Sequence, residues 1–364
     1  MVLVAGRIPV VLITGFLGSG KTTLLNRLLQ QPALADSAVI INEFGEIGID
    51  HLLVSTPAEN MVLLDTGCLC CTVRGDLVET LADLQRKRES GIVPRFGHLL
   101  IETTGLADPV PVLQSIVSDP ALRDVYVLEN VVSLVDAVNG DAQLDRHPES
   151  VKQAAVADAL LITKTDIAPA DSVIALKERL RRLNPGAELH EVVGGRIDAA
   201  KLRGTARGLD RHSKDIEHWL RTAEFEMCEH RHHGAAEKHR HDSGVRAFAF
   251  YYDRPIRRAG FTMWLDMLAG LRGANLLRVK ALLNVEGDPV VVNAVQTVVH
   301  EPFVLERWPG EDRRSRLVFI ARDMEREEIE RTFDAFDFAP ASLKKGAFDP
   351  AAYAQFVDAM RGFR

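Results

Sequence analysis

Between an apolar run and a helical pattern lies Gly15-Phe16-Leu17-Gly18-Ser19-Gly20-Lys21-Thr22. This G-x-x-x-x-G-K-T segment leaves few folds open to the chain. Pro9 to Thr14 before it reads as a buried parallel strand, and Thr22 to Gln30 after it as a helix. Gly15, Gly18 and Gly20 let the backbone curl, so successive N–H groups and the helix N-terminus point at one anion. Lys21 is placed to reach the outer phosphates of a nucleotide, and the Thr22 hydroxyl to ligate Mg²⁺; Ser19 and Thr23 belong to the same cradle. A glycine-rich turn with no ligand is the plain alternative, and the order strand, motif, helix argues against it.

The rest of the chain has room for more than one domain. At 364 residues it accommodates two cores. A net charge of −7 argues against a dedicated nucleic-acid binder, and the basic stretch 196–214 is punctuated by acids. No apolar run reaches the roughly 18 residues that span a bilayer, so no membrane partner is expected and the cytoplasm is the default location. Four cysteines, three of them in Cys68-Leu69-Cys70-Cys71, do not make a disulfide framework. They suggest metal or redox chemistry.

Apolar strands at 37–42, 61–64, 98–101, 130–136 and 159–163 alternate with helical periods at 76–88, 149–158 and 171–183. That alternation predicts an α/β doubly wound, mostly parallel sheet over residues 1–223. Residues 224–244 are nearly devoid of apolar side chains and read as a His-rich linker. Residues 245–338 then read as a smaller α+β domain with an antiparallel sheet. Strands are expected at 245–252, 276–285, 290–299 and 316–321, with helices at 258–271 and from a cap at Asp323 to Phe336. Residues 339–364 form a tail with room for one short helix.

Three sites follow from the strand ends. Glu102, closing the strand 98–101, is placed to orient Mg²⁺ and the attacking water, and Gly105 to offer its N–H to a γ-phosphate. Asp166 in Thr163-Lys164-Thr165-Asp166 can accept both N1–H and the 2-amino group of guanine, while the Lys164 stem lies over the base plane. Cys68, Cys70 and Cys71 can present thiolates to one soft or borderline cation. A fourth ligand must come from elsewhere: Glu46 in the acidic loop 43–50, a histidine, a water or a client protein. His230, His232 and His233, with Cys228 beside them, either bind a metal or are tolerated in a polar linker. His51, His98, His147, His190 and His300 show no partner in the sequence and are treated as structural.

The joint pattern resembles the CobW-type GTPases of the P-loop class, which carry Glu in place of Asp in the third GTPase motif. The matching stretches are GFLGSGKTT (15–23), NEFGEIGID (42–50), GCLCC (67–71), ETTGLADP (102–109) and TKTD (163–166), followed by LLRVKALLNVEG (276–287). The resemblance implies a GTP-binding metallochaperone with slow hydrolysis, Mg²⁺ as cofactor, Zn²⁺ or Co²⁺ as cargo and a metal-receiving client protein. It also implies a monomer or a metal- or nucleotide-dependent homodimer. Thr163 departs from the family's usual Asn, which weakens one support of the guanine pocket. Two other readings stay open: a metal buffer or sensor with structural nucleotide, and a P-loop ATPase or kinase with redox cysteines.

Overall fold

The computed structural model describes residues 7–41, 62–65, 73–202, 244–270 and 275–338. Its first sheet has seven strands in the order β3-β2-β4-β1-β5-β6-β7. They are β1 (Ile8–Gly15), β2 (Ser37–Ile41), β3 (Val62–Asp65), β4 (His98–Glu102), β5 (Tyr126–Asp136), β6 (Ala159–Thr163) and β7 (Glu188–Val192). Every pairing is parallel. All eight residues of β1 are buried, as a strand covered on both faces requires. The helices are α1 (Lys21–Leu28), α2 (Val73–Glu89), α3 (Val110–Ser118), α4 (Gly140–Arg146), α5 (Pro148–Val156) and α6 (Ala170–Leu183). β1 sits where strand order reverses, with β4 on one side and β5 on the other, so its carboxyl end opens on the crevice where such sheets bind ligands.

The second sheet is antiparallel, built from β8 (Val245–Tyr252), β9 (Leu276–Val285), β10 (Asp288–Val295), β11 (Val298–Val299), β12 (Phe303–Val304) and β13 (Ser315–Arg322). One face carries α7 (Arg258–Gly270), with Trp264, Phe250, Phe319 and Phe336 in its core. The other face lies on the first domain. β9 runs along α5, β8 along α6 and β11 along α3. Leu277, Val295 and Ile320 join the same apolar cluster as Val151, Ala154 and Leu176.

The fold class is as the sequence implies, and several elements differ in detail. β5 begins at Tyr126, four residues before the expected start, which buried Glu129 conceals by interrupting the apolar run. Asn130 Nδ2 donates to Leu202 O at 2.9 Å. The expected strand 290–299 is two strands, since the chain reverses at Gln296, whose φ is +51°. Asp323 does not cap a long helix. It sits at φ +50° with its N–H donated to Gly244 O, and only α8 (Arg326–Glu330) is α-helical before a 3-10 segment, Arg331–Asp337. α3, α4 and β7 have no counterpart in the sequence reading.

Candidate functional site

The phosphate loop turns at Gly15, whose φ is +138° and where an added Cβ would lie 2.5 Å from Leu134 O on β5. No side chain fits there, so the loop lies flush on the neighbouring strand. Lys21 is buried and its Nζ donates to Gly15 O at 2.9 Å and Phe16 O at 3.2 Å. Those carbonyls hold the ammonium over the loop at the carboxyl end of β1.

Register brings the second carboxylate-bearing strand to the same place. Ile13 pairs with Glu102, and Thr103 ties back through N–H to Ile13 O and through Oγ1 to Thr14 Oγ1, each at 2.9 Å. Glu102, 5% exposed, accepts a 3.1 Å hydrogen bond from Thr22 Oγ1 on its Oε1. A hydroxyl and a carboxylate side by side form a hard oxygen donor set, the chemistry that Mg²⁺ takes. Gly105 lies against the loop: a Cβ there would meet Leu17 N at 2.6 Å and Leu17 Cα at 2.7 Å. The segment after Glu102 and the phosphate loop are therefore in backbone contact.

On the far side of β1, the expected base-recognition residues follow β6. Thr163 Oγ1 donates to Ser19 O at 2.8 Å, so a hydroxyl ties this strand end to the phosphate loop. Lys164 sits at φ +58° and its Nζ bonds Asp136 Oδ2 at 2.7 Å, while Asp166 stands exposed in the turn that follows. Burial alone would raise the Asp136 pKa. Hydrogen bonds from Lys164, the Asn139 amide and the Val138 N–H outweigh it and hold the carboxyl below its ordinary value. Asp136 was not foreseen; its signal is a carboxylate closing a buried strand.

Glu46, Cys68, Cys70, Cys71, His230, His232 and His233 lie outside the described residues. Among the described residues, no group of three or more His, Cys, Asp or Glu side chains is arranged to hold a metal. Four histidines that lack a partner in sequence have neighbours in the fold. His147 stacks on Phe16 with ring centroids 4.5 Å apart. His98 Nδ1 is 3.6 Å from Asp36, and His190 Nε2 is 3.1 Å from Glu188. His300 faces Arg278 and Asp158. Gln153, also unforeseen, is a glutamine on a buried helix face otherwise made of Ser, Val and Ala.

Residues 9–191 match the CobW/HypB/UreG nucleotide-binding domain, and residues 245–337 match the cobalamin synthesis protein cobW C-terminal domain. The zinc chaperone YjiA of Escherichia coli (strain K12) is 33% identical over 328 residues, covering 90% of this chain and 98% of that protein. The zinc chaperone CobW of a Sinorhizobium species is 30% identical, covering 91% and 97%. The crystal structure of Zn(II)-bound YjiA GTPase from E. coli superposes with a TM-score of 0.67 at 28% identity, over 92% of this chain and 100% of that one.

Proposed function

This chain belongs to the CobW family of P-loop proteins, and from that premise we propose that it hydrolyses GTP to control the binding and delivery of a transition metal. Zinc is the first candidate for cargo, because two relatives that match nearly the whole chain are named zinc chaperones; cobalt is the second. The observation that carries the nucleotide half is the Thr22–Glu102 contact, which pairs the phosphate-loop hydroxyl with a strand-end carboxylate.

In this reading Lys21 turns from the Gly15 and Phe16 carbonyls to the outer phosphates, alongside the N–H groups of Gly18, Ser19, Gly20, Thr22 and Thr23. Glu102 orients the attacking water, and the Gly105 N–H steadies the charge that develops on the γ-phosphate. Thr22, with Glu102 beside it, would hold Mg²⁺, whose charge would offset that of the phosphates. Asp166 takes the two guanine donors, and Lys164, fixed by Asp136, lies along the base. Adenine has no such donor pair, so it would leave the carboxylate unpaired.

Strand register supports the metal half. Ile41, which leads into the segment bearing Glu46, pairs with both Asp65, which leads into the cysteines, and Glu102. The chain enters both segments at the level of the catalytic carboxylate. Cys68, Cys70 and Cys71 would bind the cargo as thiolates, with Glu46 as fourth ligand while GTP is bound. Hydrolysis would remove the γ-phosphate contacts, loosen residues 43–50 and release the metal to a client protein. His230, His232 and His233 offer neutral imidazoles for a weaker second site.

The test is zinc titration of the full chain with a non-hydrolysable GTP analogue, with GDP, and with no nucleotide. Zinc should bind most tightly with the analogue, and by linkage zinc should tighten the analogue by the same factor. Equal affinity in all three states would sink the mechanism. Cys70→Ser should weaken zinc while sparing nucleotide affinity in metal-free protein. Zinc-stimulated phosphate release separates a delivery cycle from a passive buffer.

A further inference from the structure

Helix α5 and the residue that precedes it touch three parts of the molecule. Immediately before it, His147 stacks on Phe16 of the phosphate loop. Along it, Gln153, 1% exposed, donates from Nε2 to Gly105 O at 3.2 Å and to Ala107 O at 3.0 Å. Its neighbour Lys152 pairs at 2.5 Å with Asp108, the residue after Ala107 in the same loop. The loop that follows Glu102 is thus held from one side by a single helix.

The other end of α5 is clamped to the second domain. Arg278 on β9, 2% exposed, donates from Nη1 to Val156 O, the last carbonyl of the helix, and from Nη2 to Asp158. Asn184 Nδ2 donates to the carbonyls of Ala154 at 2.9 Å, Ala155 at 3.1 Å and Ala157 at 2.9 Å. Helix ends normally leave their last carbonyls to water. Here protein donors take them, so α5 moves with β9 or breaks buried hydrogen bonds.

We propose that Gln153 is a positioning residue for Gly105, and that α5 carries the position of the Gly105–Ala107 segment to the C-terminal sheet through Arg278. The proposal rests on the reading of Gly105 as a γ-phosphate donor. Gly105 lies tight against the phosphate loop, since even an added Cβ would fall 2.6 Å from Leu17 N. A change in nucleotide must therefore move the segment together with Gln153, or leave a buried amide without acceptors. Packed elements respond to such a choice by shifting between two arrangements, and the Arg278 clamp ties β9 to whichever arrangement α5 adopts.

Gln153→Met, in the full chain, removes the two donors and keeps the side chain's length. Turnover of GTP should fall about ten-fold, with affinity for a non-hydrolysable GTP analogue reduced by a similar factor and GDP affinity within two-fold. A merely structural role would weaken both nucleotides alike. Gln153→Glu keeps the shape but turns a carboxylate on two carbonyls; it should move the same ratio and serves if the methionine variant folds poorly. Amide hydrogen exchange along residues 277–285 should differ between analogue and GDP in the wild type, and that difference should vanish in either variant.

The outcomes separate the two readings. Hydrogen exchange at the Gly105 amide that is equally fast with the analogue and with GDP would overturn the γ-phosphate reading, and this proposal with it. Slower exchange there with the analogue, together with wild-type kcat and nucleotide preference in both Gln153 variants, would overturn the positioning role alone. Altered kcat with nucleotide-independent exchange in β9 would overturn the transmission through Arg278.

Discussion

Thr22 and Glu102, 80 positions apart in sequence, share a hydrogen bond of 3.1 Å at the carboxyl ends of β1 and β4. The bond exists because Ile13 and Glu102 are register partners, which sets the strand-end carboxylate level with the first turn of α1. Among the described residues it is the contact that most directly joins the phosphate cradle to an acid able to orient water.

Glu102→Ala should therefore act on chemistry more than on binding. We expect kcat for GTP to fall on the order of 100-fold, with GDP affinity changed only a few-fold, because transition-state contacts are lost while the cradle stays. Glu102→Gln, which keeps the shape, should fall in between. Single-turnover phosphate release measures both. Loss of GDP binding equal to the loss of turnover would assign Glu102 to the cradle instead.

A second pair of variants separates base recognition from loop support. Asp166→Ala should cost guanine nucleotides on the order of 100-fold in affinity and leave adenine nucleotides where they were. Thr163→Val removes the 2.8 Å bond to Ser19 O, which holds the phosphate loop, so it should weaken GTP and ATP by the same few-fold factor. Fluorescent-nucleotide competition reads both. Equal losses of GTP and ATP in Asp166→Ala would remove that residue from the base site.

What the sequence made legible is what local chemistry determines. The phosphate loop, the fully buried strands and the strand-end positions of Glu102 and Thr163 announce themselves through spacing and apolar runs. Partners fixed by tertiary approach do not. Gln153 reaches back 48 positions to Gly105, and Arg278 reaches back 120 positions to Asp158. In sequence each looks like an ordinary helix or strand residue. β7, an edge strand buried only at Val192, carries Glu188, His190 and Glu191 and offers no apolar run to find. Glu129 hid the start of β5 for the opposite reason, being polar yet buried.

Gly15 is a position where both the backbone and its surroundings exclude a side chain. Its φ of +138° is unfavourable for any L-residue, and a Cβ would lie 2.5 Å from Leu134 O and 2.9 Å from Leu134 N. These are backbone atoms of a central strand, which cannot rotate aside as a flexible side chain would. Gly15→Ala should destabilise the chain by about 2–4 kcal/mol and abolish nucleotide binding, since relief requires the loop to lift from β5. Thermal denaturation and nucleotide titration check it. A variant that melts like the wild type and binds GTP would show that the loop relaxes freely.

The domain interface carries a pH dependence whose sign follows from His300. Its backbone N–H donates to Asn293 O, its Nε2 is enclosed with no hydrogen-bond partner among the described residues, and it faces Arg278 and Asp158. Burial and the nearby Arg278 charge outweigh Asp158 and lower its pKa to about 4. Burial likewise lowers Lys280, 3.5 Å from the same carboxylate, to about 8. In the unfolded chain His300 takes up its proton near pH 6.5, whereas the folded interface refuses it until about pH 4. Between those values the unfolded state holds more protons, so stability falls as pH falls through that window. The loss by pH 5 should be on the order of 2 kcal/mol. His300→Asn should remove this component, leaving a shallower drop in melting temperature from pH 7 to pH 5. An identical acid dependence in wild type and variant would show that the imidazole reaches solvent and takes its proton without disturbing the Arg278 clamp.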